Sequence, residues 1–332
     1  MNSFAMEWAL REAAHRIWGN ERKRNELGKQ LSNHQAGMAG ERRVLGLLHS
    51  ILLPEECQIL HDLNFRLPGG QQFQVDILAI FKSGAILLET KQIAGRLKFC
   101  TSPASLQKLS ENGQVIASME CPAAQLHDQI GNMAELLYRN NIRLPISGRV
   151  VFANHPIIEQ IPSNLPVIKA RELRRYIRTK LQEPACLQKG EINTVASVIR
   201  SQQVHYLPFP FSERHGFTDR DFYLGPLCSK CRGRLTKQTE RAWNCASCNA
   251  VHREPYAETL LAYFVLISNR ITVKQCMKLL LLRSSTHARN IINRFAVRKV
   301  GQGKHTEYEL DYEQQFKRLF NDKRTGLLLL ND

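Results

Sequence analysis

Three charged residues, Asp76, Glu89 and Lys91, stand in the two otherwise apolar strands that residues 72–95, QFQVDILAIFKSGAILLETKQIAG, suggest. Ionised groups are costly in a dry core unless they are paired or hold a metal, so this placement marks a candidate site. Residues 75–81 read as a buried strand, Lys82-Ser83-Gly84 as a turn and residues 85–88 as the returning strand. Folding the hairpin about Lys82-Ser83 sets Asp76 opposite Glu89, and the two-residue period of a strand puts Lys91 on the face of Glu89. A three-residue turn with a bulge would shift that register by one. Two carboxylates suit a hard divalent cation such as Mg²⁺, bound through oxygen with waters completing its shell. One such water can become a nucleophile, and a nearby lysine can stabilise hydroxide or charge on a phosphoryl oxygen, which is chemistry suited to phosphodiester hydrolysis. The plainer alternative is a structural trio in which Lys91 neutralises two strand-end carboxylates.

A second constellation is Cys228-Ser229-Lys230-Cys231, thirteen residues, then Cys245-Ala246-Ser247-Cys248. Two CxxC turns on short hairpins supply four thiolates, the donor set tetrahedral Zn²⁺ favours, and a site with no open position is structural. So short a segment has little core, and the metal would supply much of its folding energy. The other five cysteines read as small buried or half-buried residues. Arg232, Arg234, Lys237 and Arg241 between the pairs, beside Trp243, fit either a nucleic-acid contact or a solvated rim.

A third lies near the C-terminus. Residues 257–268, 273–280 and 285–295 read as three helices, and 297–310 as two strands around Gly301-Gln302-Gly303. This resembles a winged helix-turn-helix. Ala288, Ile291, Ile292 and Phe295 can pack inward, which leaves His287, Arg289, Asn290, Asn293 and Arg294 available to a major groove. Residues 256–332 hold 13 Lys and Arg against 7 Asp and Glu. That excess suits phosphate contact, the alternative being a basic protein-interaction domain.

The elements that must position these residues follow from apolar periodicity. Residues 3–18 form a first helix, followed by a basic segment with Arg22, Lys23, Arg24 and Lys29. Residues 37–52 form a second helix with Glu41 near its start, where a carboxylate also favours a helix N-terminus. Strands follow at 58–67, in the central hairpin and at 96–99, and residues 101–120 form a hairpin or loop. His61-Asp62 reads as a satisfied strand-end hydrogen bond. Residues 122–140 form a helix with Gln125 on its first turn, 149–153 a buried strand, 167–168 a short one and 172–181 a basic helix. The order suits an α/β fold, a mixed sheet flanked by helices.

The chain has 332 residues, 43% hydrophobic and 23% charged, ordinary proportions for a folded protein of two or three domains. The 46 Lys and Arg against 30 Asp and Glu give +16. Such an excess favours an anionic partner. No run approaches the ~18 apolar residues of a transmembrane helix, so no membrane association is expected. Residues 1–12 carry no apolar signal core, and the cysteine usage fits a reducing compartment, so a cytoplasmic location is expected.

Gly37, Gly40-Glu41, His61-Asp62-Leu63, Gln74-Val75-Asp76-Ile77-Leu78, Glu89-Thr90-Lys91 and Gly95 resemble, in content and order, the NERD (nuclease-related domain) family of the PD-(D/E)xK nuclease superfamily. The resemblance implies a restriction-endonuclease-like mixed sheet in which Asp76 and Glu89 bind Mg²⁺ or Mn²⁺ and Lys91 assists catalysis. It makes Glu41 a candidate for the metal shell or the base, and matches Gln125 to a glutamine that follows the core in many relatives. Val75 stands where the superfamily's name has Pro, a replacement the family commonly shows. A NERD domain, a Cys₄ ribbon and a helical tail also resemble a bacterial subgroup of NERD proteins.

The expected organisation is an N-terminal basic helix at 1–35, a NERD domain at 36–182 and a connecting segment at 183–226. A zinc ribbon follows at 227–255 and a small winged-helix-like domain at 256–332. The expected function is metal-dependent hydrolysis of phosphodiester bonds, with DNA favoured over RNA as partner and with ribbon and tail binding the nucleic acid. The alternatives are a non-cleaving DNA-binding or regulatory protein on a nuclease-like fold, and a zinc-stabilised protein adaptor.

Overall fold

The computed structural model describes residues 2–54 and 56–321. The end of the tail expected over 256–332 lies outside the described residues.

In chain order the elements are α1 (Asn2–Arg16), α2 (Glu21–His49), β1 (Gln58–Arg66), β2 (Gln72–Phe81), β3 (Gly84–Lys91), β4 (Arg96–Thr101), β5 (Ala104–Leu109) and β6 (Val115–Glu120). Then come α3 (Pro122–Arg139), β7 (Ile146–Phe152), β8 (Ile157–Gln160), β9 (Val167–Lys169), α4 (Leu173–Leu181), α5 (Glu191–Ser201) and α6 (Phe211–His215). The last are β10 (Leu235–Lys237), β11 (Ala242–Cys245), β12 (Val251–Arg253), α7 (Tyr256–Leu266), β13 (Arg270–Thr272), α8 (Val273–Leu279), α9 (Ser285–Ile292), β14 (Val297–Val300), β15 (Glu307–Leu310) and α10 (Tyr312–Asn321). The chain divides into two compact units, residues 34–205 and residues 1–33 with 206–332, and the boundary falls within α2.

Residues 34–205 are mixed α/β. A five-stranded sheet runs β1-β2-β3-β7-β9, antiparallel from β1 to β3 and parallel from β3 to β9. One face packs Ile77, Ala79, Ile86 and Leu88 against Val44 and Leu48 of α2 and Leu173 and Ile177 of α4. The other packs Leu78, Ile80, Leu87 and Val150 against Leu126, Met133 and Leu137 of α3 and Ile192, Val195 and Ile199 of α5. A second sheet runs β6-β5-β4-β8, so residues 101–120 do form a hairpin.

The central turn has two residues, Lys82-Ser83, because Gly84 already pairs with Phe81. The register continues to Ile77 against Leu88, which leaves Asp76 and Glu89 on the next rung, where the ladder ends. Between β1 and β2 the register holds throughout, yet the pair at Asp62 and Asp76 is missing. Asp62 there has φ of 51°. The α3-side core takes Leu60, Leu78 and Ile80 on one side of this break and Leu63, Phe65, Phe73 and Val75 on the other. Both strands thus change the parity of their buried face at the two aspartates.

The other unit gathers α1, the start of α2 and the chain from Tyr206 around one core containing Trp8, Leu27, Phe211, Trp243, Leu260, Phe264 and Ile291. β10, β11 and β12 form a three-stranded antiparallel ribbon. β13, β15 and β14 form a second small sheet beside α7, α8 and α9.

The basic stretch after α1 forms the first turns of α2, with Leu27 buried. Within 183–226, residues 191–201 form α5, whose apolar side is part of the α3-side core. Cys186 is exposed rather than half-buried, its thiol meeting the carbonyl oxygen of Lys82 at 3.3 Å.

Candidate active site and metal centre

The end of the β2–β3 ladder frees the Thr90 N–H, and Asp76 Oδ2 accepts it at 2.8 Å. Glu89 and Lys91, two apart on β3, share a face as the strand period requires, and Lys91 Nζ donates to Glu89 Oε1 at 2.6 Å. The same Nζ donates to Gln125 Oε1 of α3 at 3.1 Å. Gln129, one turn further on, donates through Nε2 to Glu89 Oε2 at 2.7 Å. Helix α3 can come this close because Gly148 of β7 carries no side chain: a Cβ there would lie 2.8 Å from Leu126 Cδ1. Gly40 does the same for α2, where a Cβ would lie 2.9 Å from Gln92 Cβ, and so brings Glu41 to the strand ends.

Asp76 and Glu89 are buried, and Lys91 keeps a quarter of its side chain in solvent. Burial foremost, then the charges of Glu89 and Glu41, hold the Asp76 carboxyl well above the usual carboxylate range, against the pull of the Thr90 N–H and Lys91. Glu41 is pushed up to about 7, by burial first and then by Asp62 and Glu89, against Arg42 and Lys91. Four carboxylates therefore act on one another, with Lys91 the cation bonded among them.

Asp76, Glu89, Lys91, Gln125 and Glu41 all belong to this neighbourhood. Two residues were missed by sequence reasoning. Asp62, by sequence a partner in a strand-end hydrogen bond, also acts through its charge on Glu41. Gln129 had a visible signal, since it follows Gln125 by four residues and so shares its helix face.

The donor set of this site is oxygen throughout, which fits a hard cation such as Mg²⁺ or Mn²⁺ and not a soft one, and a cation would offset the crowded negative charge. Among the described residues, the one group of three or more His, Cys, Asp and Glu closing on a common point is elsewhere, at Cys228, Cys231, Cys245 and Cys248. Their sulfurs all lie within 4.8 Å of one another. Separations of 3.4 Å for Cys231–Cys245 and Cys231–Cys248 and 3.6 Å for Cys228–Cys248 exceed a disulfide bond. They approach the edge of a tetrahedron with metal–sulfur bonds of about 2.3 Å. His252 Nε2 sits 3.1 Å from Cys228 Sγ. Arg232 in the first knuckle pairs with Glu12 of α1 and Glu258 of α7.

In the C-terminal region Arg289, Asn290, Asn293 and Arg294 are exposed, while His287 is half-buried with its ring edge-on to Tyr256 at 5.7 Å. α9 ends at Ile292, so Asn293 is its C-cap and Arg294 lies beyond it. No described helix is long and apolar enough to cross a membrane.

Fold and site thus define a mixed α/β protein with a buried carboxylate–lysine cluster at the open end of its central hairpin and a separate four-thiol centre. Residues 36–153 match the family model NERD, described as Nuclease-related domain. No match was found among curated proteins, and none among solved structures.

Proposed function

We propose that the protein is a metal-dependent nuclease that hydrolyses phosphodiester bonds, with DNA favoured over RNA. The observation that carries this reading is the bonding of Lys91 Nζ to both Gln125 and Glu89, the latter on the same rung as the buried Asp76. A purely neutralising lysine would need no second partner on another element.

Asp76 and Glu89 would hold Mg²⁺ or Mn²⁺, and such an ion would supply the charge that polarises the scissile phosphate and makes water more acidic. The Thr90 N–H fixes one Asp76 oxygen and so aims the other. Gln129 and Lys91 each donate to a different oxygen of Glu89 and so fix its orientation. Lys91, partly in solvent, can turn from Glu89 to a phosphoryl oxygen as negative charge develops there. Glu41, with its carboxyl near 7, is matched to accept a proton from water at neutral pH.

The four cysteines would hold a structural Zn²⁺, because an all-thiolate set leaves no position for a substrate. The winged-helix-like region and the ribbon would bind the nucleic acid, with Arg289, Asn290, Asn293, Arg294 and the half-buried His287 as contacts. The domain divisions read from the sequence are proposed with them. Cleavage of plasmid, linear duplex, single-stranded DNA and RNA, with and without Mg²⁺ or Mn²⁺, tests this reading. Tight, salt-sensitive binding without cleavage under either ion would favour a non-catalytic DNA-binding protein instead.

A further inference from the structure

Trp18, Arg234 and Tyr223 form a stack within the unit built from residues 1–33 and 206–332. The guanidinium carbon of Arg234 lies 3.7 Å from the ring centroid of Trp18 and 4.4 Å from that of Tyr223. Trp18 is 57% exposed, whereas the chain's other tryptophans, Trp8 and Trp243, are 4% and 1% exposed. So large an exposed indole leaves apolar surface in water that burial would otherwise stabilise.

Its backbone is fixed from both sides. The Trp18 N–H donates to the Asp221 carbonyl at 2.8 Å, the Tyr223 N–H donates to the Arg16 carbonyl at 2.7 Å, and Ile17 bridges Phe222 between them. The buried Arg16 guanidinium donates to the carbonyls of Tyr223 and Gly225. The Tyr223 ring covers Gly225, where a Cβ would lie 2.5 Å from its hydroxyl. The backbone that carries both rings is therefore set before anything binds, and Arg234 lies against both ring faces, which lowers the ordering cost of binding.

Arg234 differs from its neighbour Arg232, which pairs with Glu12 and Glu258. Among the described residues Arg234 meets two ring faces and no carboxylate, so the donors in the guanidinium plane stay open. An exposed indole beside an uncommitted guanidinium matches a flat ring tethered to an anion. Arg22 and Arg24, exposed at the start of α2, add positive charge a few residues from Trp18.

We propose that the Trp18–Arg234 stack is a subsite for an unpaired nucleobase of a single-stranded nucleic acid, the indole stacking on the base and Arg234 taking an adjoining phosphate. Base faces in a duplex are already stacked, so only an unpaired base can use it. The proposal rests on the nucleic-acid reading above and adds to it a strand preference at a place separate from the carboxylate cluster.

The test uses the full chain without added divalent metal, so that nothing is cleaved. Binding is read by anisotropy of labelled oligo-dT and oligo-rU of about 15 nucleotides, and stacking by quenching of tryptophan emission with unlabelled strands. Both signals are expected to change in step for the wild type, and the strand that quenches names the sugar. Trp18→Phe should bind nearly as tightly with no quenching. Trp18→Ala and Arg234→Ala should weaken single-strand binding by roughly 5- to 100-fold while leaving binding of a blunt duplex unchanged. Single strands bound with unchanged emission, or bound equally by Trp18→Ala, would overturn the subsite and leave the nuclease reading standing. No binding of any nucleic acid by the wild type would overturn both.

Discussion

Gln129 Nε2 donates to Oε2 of Glu89 at 2.7 Å, the oxygen opposite the one that Lys91 holds. The carboxylate is thus fixed at both ends, by a strand neighbour and by a helix. Removing the helix partner leaves a buried carboxylate oxygen unpaired, which is costly in a site with little water.

Gln129→Ala is therefore expected to lower both thermal stability and any metal-dependent cleavage, the latter by roughly 10- to 100-fold, the usual size for a residue that orients a ligand. Gln129→Glu should be worse, because it sets a second carboxylate against Glu89. Melting curves and cleavage rates of both variants check this; a Gln129→Glu variant as stable and active as the wild type would contradict it.

Glu41 links the site to pH. Its carboxyl is near 7 when folded, against an ordinary value of 4.5. Between those values the unfolded chain has lost the proton that the folded chain keeps. This contribution to stability therefore falls as pH rises from about 4.5 to about 7 and is fully lost above. Without added Mg²⁺, Glu41→Gln should raise the melting temperature by a few degrees at pH 8, with no gain below pH 4.5. Melting curves at both pH values measure it, and the opposite ordering would contradict the crowding of charge.

Asp62 raises the Glu41 carboxyl through its charge. If Glu41 accepts a proton during cleavage, Asp62→Asn should move the rising limb of the pH–rate profile to lower pH. An unchanged limb would remove Glu41 or Asp62 from the chemistry.

The four thiols predict one zinc per chain by elemental analysis, lost on Cys231→Ser or with a strong chelator. Trp243, buried on the ribbon strand β11, should then shift its emission to the red as the ribbon loosens. A metal-free chain with an unshifted spectrum would show that the thiols need no ion.

The central hairpin was legible because its apolar run leaves so few polar positions, but its register was not, since the sequence admits a turn of two or three residues and only the pairing of Phe81 with Gly84 decides between them. The four cysteines were legible from spacing alone. The start of α2 was not, since Arg22, Lys23 and Arg24 give no apolar stripe and Leu27 alone is buried there. Asp62 escaped for a different reason: nothing in a strand sequence marks a non-glycine residue with positive φ, and that bend is what changes the buried parity of β1. Gln129 was within reach, four residues after Gln125 on one helix face.

The central claim is tested most directly by cleavage of DNA by purified protein with Mg²⁺ or Mn²⁺, beside Asp76→Ala and Lys91→Ala. The account predicts metal-dependent cleavage by the wild type that both substitutions abolish. Cleavage undiminished in Lys91→Ala, or none by the wild type with either ion on any substrate, would contradict it.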